Sequence, residues 1–128
     1  MYFGLSEEQQ SLQDNIKKYL EDNASLDTIK EVAAGDSAKA ENIHKGLVEL
    51  GISGLMVPEQ YGGLELDMLF ASVVSGALGS GTAPVPFAGA YVMAPIALSL
   101  GGSESQKETW LPKIAGGEAI LELVFQNM

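Results

Sequence analysis

The stretch Gly102–Ala119 (GSESQKETWLPKIAGGEA), together with Glu49–Gly63 (ELGISGLMVPEQYGG), decides the fold prediction for this chain. In the later stretch, Ser103 is followed three residues on by Gln106. That spacing is typical of a capping box, so a helix is predicted to begin here. Pro112 falls inside this helix and is predicted to kink or divide it. Its inward-facing residues are predicted to be Trp110, Leu111 and Ile114.

The earlier stretch predicts a turn rather than a longer helix. An apolar run, Ile52–Val57, is followed at once by Pro58, which prevents a helix from continuing. Gly62 and Gly63 then supply the backbone freedom that a tight turn needs. Both stretches therefore indicate helix ends joined by short turns.

Apolar periodicity and capping residues predict the other helices. The predicted helices run from the Ser6 cap to near Asn23, over Asp27–Ala34, from Asp36 or Ser37 to Leu50, from the Asp67 cap to Leu78, and over Phe87–Leu100. The short segment Ile120–Gln126 (ILELVFQ) is the one plausible strand. The predicted fold class is all-α, a bundle of about six helices with a short C-terminal strand stub.

Composition excludes several function classes. The 128 residues correspond to one domain with an ordinary apolar content of 46%. The absence of cysteine excludes disulfide scaffolds, thiolate metal sites and cysteine nucleophiles, and it fits a cytoplasmic protein. The formal charge of −10 makes nucleic acid and anionic membranes unfavourable partners. All seven basic residues are lysines, so no arginine is present to clamp a pyrophosphate.

No targeting or membrane segment is evident. The N-terminus lacks a basic region followed by an apolar stretch, so no signal peptide is predicted. The most apolar run, Phe87–Leu100, contains Pro95 and is too short to span a bilayer.

The residues alone indicate no catalytic or metal site. His44 is the only histidine, which excludes a histidine metal cluster or a Ser-His-Asp triad within the chain, and we interpret it as a solvated surface residue. The glycine pairs around Gly79–Gly81 and Gly101–Gly102 lack the lysine and preceding strand of a phosphate loop. No residue is assigned a catalytic role and none a metal role.

Two motifs at a definite spacing indicate a family. VPEQYGG (57–63) matches a VPxxYGG turn, and SESQKETWLPKIAGGEA (103–119) matches an EQK…LP…GE segment. With the preceding LSEEQQSLQD helix, the chain from Leu5 to Ile120 resembles the N-terminal helical domain of the acyl-CoA dehydrogenase flavoenzymes. The resemblance implies that residues 1–119 form this domain and that residues 120–128 are the stub of the first strand of a flavin-binding β-domain.

The resemblance also implies a chemistry. Members abstract an α-proton from an acyl-CoA with a glutamate while a β-hydride passes to FAD. That glutamate lies in a C-terminal domain, so no residue here receives its role. The family's (L/V)TEPGAGSD motif, which begins the FAD contacts, follows the GEA segment, whereas this chain has LELVFQNM there. The cofactor-binding candidates are the stub residues Val124, Phe125, Gln126 and Asn127, and the departure argues against FAD binding by these 128 residues alone.

In the family, this domain contributes one wall of the acyl-chain tunnel. By position relative to QKETWL, the resemblance places the lining near Val85, Gly89, Ala90 and Met93. Small residues at 89 and 90 would leave room for a bulky acyl group. The alternative interpretation is that these small residues permit close helix packing and that Met93 fills a gap in an ordinary core.

Three functional hypotheses follow. The leading one is the N-terminal domain of an FAD-dependent acyl-CoA dehydrogenase that acts with its flavin and C-terminal domains or with a partner subunit. The rivals are a non-enzymatic helical binding module and a structural subunit that completes a partner's active site. Because a domain cut in this way exposes apolar faces, we expect a homo- or hetero-oligomer.

Overall fold

The computed structural model describes residues 4–124 and 126 and confirms the all-α fold class. Six α-helices lie within these residues: α1 (Glu7–Asn23), α2 (Leu26–Ala33), α3 (Ser37–Glu49), α4 (Met68–Ser80), α5 (Ala94–Gly101) and α6 (Glu104–Ala115). A 3₁₀ turn spans Glu59–Tyr61, and a π-helical segment, Phe87–Met93, runs directly into α5.

The two predicted capping boxes are confirmed, and each begins a helix where the sequence placed it. At α1 the Ser6 hydroxyl accepts from the Gln9 amide at 3.1 Å, and Gln9 Oε1 accepts from the Ser6 N–H at 3.0 Å. At α6 the Ser103 and Gln106 pair repeats this arrangement at 3.2 and 2.9 Å. Each box satisfies two backbone donors that a helix start leaves unpaired.

Single side-chain caps begin α3 and α4 as predicted. Asp36 accepts from the Lys39 amide at 3.1 Å, and Asp67 accepts from the amides of Leu69 and Phe70, each at 3.1 Å. The start of α2 differs slightly from the prediction. The predicted range is Asp27–Ala34, whereas Ser25 caps α2 and the helix spans Leu26–Ala33.

The first compact unit comprises residues 4–50 and 72–85. Here α1 and α2 both pack against α3. Its core contains the predicted stripe residues Ile16, Leu20, Ile43 and Leu47, all buried, with Val74 from α4. Amphipathic α-helices thus bury their apolar faces in this unit as periodicity predicts.

The second compact unit comprises residues 51–71 with 86–124 and 126. In it, α6 packs against both α5 and the 3₁₀ turn. The Ser53 hydroxyl, fully buried, donates to the Ala115 carbonyl at 2.8 Å, so the loop after α3 is tied to the end of α6. Gly62 adopts a left-handed φ of 86°, which explains the glycine in the predicted turn.

The predicted fifth helix forms with a different geometry. Instead of one α-helix over Phe87–Leu100, the first part is π-helical, and the Ala94 N–H bonds the Gly89 carbonyl five residues back. Pro95 supplies a physical reason, because its ring would meet the Tyr91 carbonyl in a regular α-helix. A wider turn before the proline relieves that contact.

The structure corrects the prediction for α6 in two respects. Of the predicted kink or division at Pro112, the division does not occur, because the helix continues through the proline from Glu104 to Ala115. Proline has no N–H, so the carbonyl four residues before Pro112 has no donor within the helix. Pro112 is exposed, and that carbonyl therefore lies on a solvated face. Trp110 does not pack inward, because Leu111 and Ile114 take the buried face and leave it 37% exposed. The Lys113 ammonium instead lies 5.2 Å from the centre of its ring.

The predicted strand does not form within the described part of Ile120–Gln126, which contains no regular element. A strand requires hydrogen bonds to a neighbouring strand, and the described residues contain no other strand that could pair with it. The division of the chain at residue 119 stays a prediction. None of the helices in the described residues is both long and apolar enough to cross a membrane.

Candidate functional site

The π-helical segment carries an open strip at two of the predicted site residues, Gly89 and Met93. A Cβ built at Gly89 would meet no atom within 4 Å, so space opens directly at its backbone. Met93 follows four residues later and is 42% exposed. With bonds closing over five residues, positions four apart lie about one turn from each other on a π-helix. A glycine and an exposed thioether therefore form a shallow apolar surface here.

Ala90 lies away from that strip. It is fully buried, as is Tyr91, and Phe87 is nearly so. Burial raises the pKa of the Tyr91 phenol above its usual value, since the ionised form is poorly solvated there. The structure thus divides the predicted set: Gly89 and Met93 are accessible, whereas Ala90 belongs to the packed interior. Assignment of these residues to an acyl pocket stays a prediction.

Val85, the fourth predicted lining residue, belongs to the first unit. It is half-buried, and its N–H donates to the Ala83 carbonyl at 2.9 Å. Just before it, Thr82 has a φ of +52°, an uncommon left-handed conformation for a residue with a side chain.

A groove of about 380 Å³ in the second unit is a feature that the sequence reasoning missed. Its walls come from α5, the start of α6 and the C-terminal segment: Ala94, Ala97, Leu98, Gly101, Gly102, Gln106, Leu121, Glu122 and Leu123. The available signal was the run of small residues at 94, 97 and 101, which share one helical face. No pattern indicated that residues 121–123 would lie opposite them.

The described cofactor-binding candidates, Val124 and Gln126, lie on the surface, and their assignment to a flavin site stays a prediction. Val124 is 80% exposed, and Gln126 is exposed. Phe125 and Asn127 lie outside the described residues.

His44 is half-buried rather than a fully solvated surface residue. Burial lowers the pKa of its imidazole below 6.5, because the charged form loses solvation. Across the described residues, no group of three or more histidine, cysteine or carboxylate side chains is arranged to hold a metal ion.

The chain matches the family described as "Acyl-CoA dehydrogenase, N-terminal domain" over residues 6–118. The chain belongs to this family. The match covers all six α-helices of the described structure, as well as the 3₁₀ turn and the π-helical segment.

Relatives of this acyl-CoA dehydrogenase N-terminal domain include (2S)-methylsuccinyl-CoA dehydrogenase from Cereibacter sphaeroides, which is 32% identical over 95% of the chain. The mitochondrial isovaleryl-CoA dehydrogenase of Pongo abelii is 30% identical over 91% of the chain. The chain spans 22% and 28% of the lengths of these two relatives.

Solved structures agree on the fold. An acyl-CoA dehydrogenase with FAD from Bacillus anthracis superposes with a TM-score of 0.79 at 23% identity, covering 91% of this chain and 20% of that one. The ChsE4–ChsE5 complex from Mycobacterium tuberculosis gives a TM-score of 0.72 at 22% identity, covering 92% of this chain and 30% of that one.

Proposed function

We propose that this chain acts as the N-terminal domain of an FAD-dependent acyl-CoA dehydrogenase, which oxidises the Cα–Cβ bond of an acyl thioester. The remaining domains come from the same polypeptide or from a partner subunit. The observation that most supports the proposal is the family match over residues 6–118. The two relatives named above are themselves dehydrogenases of acyl-CoA compounds.

In this proposal the strip at Gly89 and Met93 packs against the acyl chain. Open space at Gly89 gives the chain room, and the Met93 thioether supplies a polarizable surface that adapts to its shape. Ala90 and Tyr91 hold this strip in place from the buried side. This chain would therefore exclude water from the acyl group, while the flavin supplies the hydride acceptor and is held by other residues.

A visible spectrum of the purified natural gene product tests the proposed activity. We expect bound flavin, whose absorption bleaches when an acyl-CoA is added without oxygen, because the flavin accepts the hydride. A product that holds flavin but shows no bleaching with straight-chain, branched or dicarboxylic acyl-CoA would contradict the proposed reaction.

A substitution at Gly89 tests the assignment of the wall. Gly89→Phe fills the open space, so kcat/KM for long or branched acyl-CoA should fall at least about tenfold relative to the shortest substrate. Gly76→Phe is the matched control, since a Cβ at Gly76 on α4 would also meet no atom within 4 Å. An equal fall of kcat/KM for short and long substrates would contradict the assignment of Gly89 to the pocket wall, but it would not contradict the proposed reaction.

The alternative is a subunit that keeps the fold without holding flavin. The absence of arginine from all 128 residues and the exposure of Val124 and Gln126 favour it for the chain acting alone. A colourless product that gains no flavin on incubation with FAD would support this alternative. The appearance of dehydrogenase activity only after a defined flavin-binding partner is added would identify the chain as a completing subunit.

We also propose that the chain associates with copies of itself or with a partner. Its second unit exposes large apolar side chains, among them Leu64, Met68, Leu100 and Ile120. Light scattering coupled to size-exclusion chromatography should give a mass above 13.5 kDa. A single monomeric peak across a wide concentration range would contradict the self-association.

A further inference from the structure

The groove in the second unit has the dimensions and lining of a small-molecule site, and it is separate from the strip at Gly89. Its volume, about 380 Å³, is at the lower end of known ligand pockets. Ala97 and Gly101 leave space along α5, and Leu121 and Leu123 line the other side. A Cβ at Gly101 would meet no atom within 4 Å, so the groove opens at this glycine.

Gln106 gives the groove a side-chain amide donor. Its Oε1 accepts from the Ser103 N–H at 2.9 Å in the capping box, which leaves the two Nε2 hydrogens available to a ligand. Nε2 has no acceptor in the part of the chain that the structure describes. A free amide N–H₂ at the lining of an apolar groove is suited to a carbonyl oxygen of a ligand.

Charge narrows the class of ligand. Glu122 is exposed and lines the same groove, and no cationic side chain among the described residues lines it. The whole chain carries a formal charge of −10. A carboxylate or phosphate in the groove would therefore meet repulsion without a compensating partner, whereas an uncharged carbonyl would not.

We propose that this groove binds an uncharged compound in which an apolar chain adjoins a carbonyl group. The carbonyl oxygen accepts from Gln106 Nε2, and the chain lies along Ala97 and Gly101 between α5 and the leucines at 121 and 123. The site does not depend on the proposed dehydrogenase activity, because neither the flavin nor the strip at Gly89 takes part in it.

Calorimetric titration of the purified full chain with octanamide and with octanoate tests the ligand class. The two probes share one apolar chain and differ in the charge of the head group. We expect octanamide to bind at least about fivefold more tightly than octanoate. The amide carbonyl accepts a hydrogen bond without bringing a charge, whereas octanoate places an unpaired carboxylate charge in the groove. Absence of octanamide binding, or equal binding of the two probes, would overturn the proposal.

Gln106→Glu tests the donor without removing the cap. A glutamate at this position still accepts from the Ser103 N–H, since Ser-x-x-Glu is itself a capping box. It removes both Nε2 hydrogens and adds a charge, so octanamide binding should weaken about five- to tenfold. Gln9→Glu makes the same change in the α1 capping box and should leave binding unchanged. Equal affinities of the two variants would rule out the assigned donor.

Gly101→Leu tests the location by filling the groove. A Cβ at this position would meet no atom within 4 Å, so the fold should be preserved, and the circular dichroism spectrum and melting temperature of the variant verify this. Octanamide binding should fall at least about tenfold. Gly76→Leu, an equally unhindered glycine on α4, is the control and should bind as the unaltered chain does. Octanamide binding by G101L that equals binding by G76L would overturn the site.

Discussion

In the first unit, α1, α2 and α3 each begin at a residue whose side chain accepts from the helix's own backbone, and helices fill most of its length. In the second unit, the chain from Gly51 to Asp67 contains only turns and one short 3₁₀ segment. Backbone contacts hold this stretch together: the amides of Leu64 and Leu66 donate to the carbonyls of Gly54 and Leu55, each at 2.8 Å.

The two regions differ in which atoms must move when a Cβ is added at a glycine. Close contacts in the first unit involve side chains, which can rotate to new positions at modest cost. The closest contact in the turn-rich stretch, at Gly63, involves main-chain atoms of Val57, which can move only if the hydrogen-bonded turns move with them. Gly46 in the first unit and Gly63 in the second should therefore differ in their tolerance of a methyl group, although they look alike in the sequence.

Gly63→Ala should have the largest effect. A Cβ at this position would overlap the backbone carbonyl of Val57, which is part of the hydrogen-bonded turn. We expect the free energy of unfolding in urea to fall by about 3 kcal/mol or more. Gly76→Ala is the control, since its Cβ meets nothing within 4 Å on α4, and alanine there should stabilise by about 0.5–1 kcal/mol. A loss below about 1 kcal/mol at Gly63 would break the comparison.

Gly46→Ala should cost less, about 1–2 kcal/mol. Its Cβ would overlap the Tyr19 hydroxyl, the far end of a side chain. Tyr19 can rotate away, at the expense of its hydrogen bonds to the carbonyls of Asn42 at 3.2 Å and Ile43 at 3.4 Å. If urea denaturation gave the same loss for G46A and G63A, the distinction between side-chain and backbone contacts would fail.

Ser6→Ala and Ser103→Ala compare a feature that the two units share. Both serines begin capping boxes with nearly the same geometry, so each substitution should cost about 1 kcal/mol of unfolding free energy. Equal values would show that local helix capping contributes alike in the regular and the turn-rich unit. A difference above about 1 kcal/mol between them would show that the surroundings of each cap, and not the shared hydrogen-bond geometry, set the cost of losing it.

A pH dependence centred on His44 should be the smallest effect. Because burial lowers its folded pKa below 6.5, the unfolded chain binds more protons just under that value. Stability should therefore fall as pH drops through about 6.5, and the loss should be complete below the folded pKa. His44→Gln should remove this part of the dependence in urea titrations at about pH 5.5 and 7.5. If the unfolding free energy of H44Q changed with pH as much as that of the unaltered chain, the pH dependence would come from the carboxylates and not from His44.

The sequence predicted the fold well wherever a local rule governs it. Ser6 with Gln9, Ser103 with Gln106, and Asp67 each place a helix start through interactions within four residues, and all three are confirmed. Periodicity likewise identified the buried stripe of α1 and α3, because a helix that packs on one side must repeat its apolar residues at that spacing.

Predictions failed where the outcome depends on packing or on residues distant in sequence. Trp110 and Leu111 are adjacent and both apolar, and only the packed structure decides which of them is buried. The sequence likewise does not distinguish Ala90 from Gly89, which are both small: adjacent positions on a helix point in different directions, and only packing decides that Ala90 is enclosed and Gly89 open. The groove was not predicted for a similar reason. Leu121 and Ala97 both line it but are far apart in the chain, and no local pattern indicates that they meet.

The π-helical segment, Phe87–Met93, holds more residues per turn than an α-helix does. Its hydrogen bonds close over one residue more than those of an α-helix. Deleting a single residue between Phe87 and Met93 would let the segment close as ordinary α-helix, because the deletion removes the extra residue that the wider turns hold. The residues before and after the deletion would keep nearly the same directions relative to α5, whereas one residue lost from a regular α-helix rotates everything before it by about 100°.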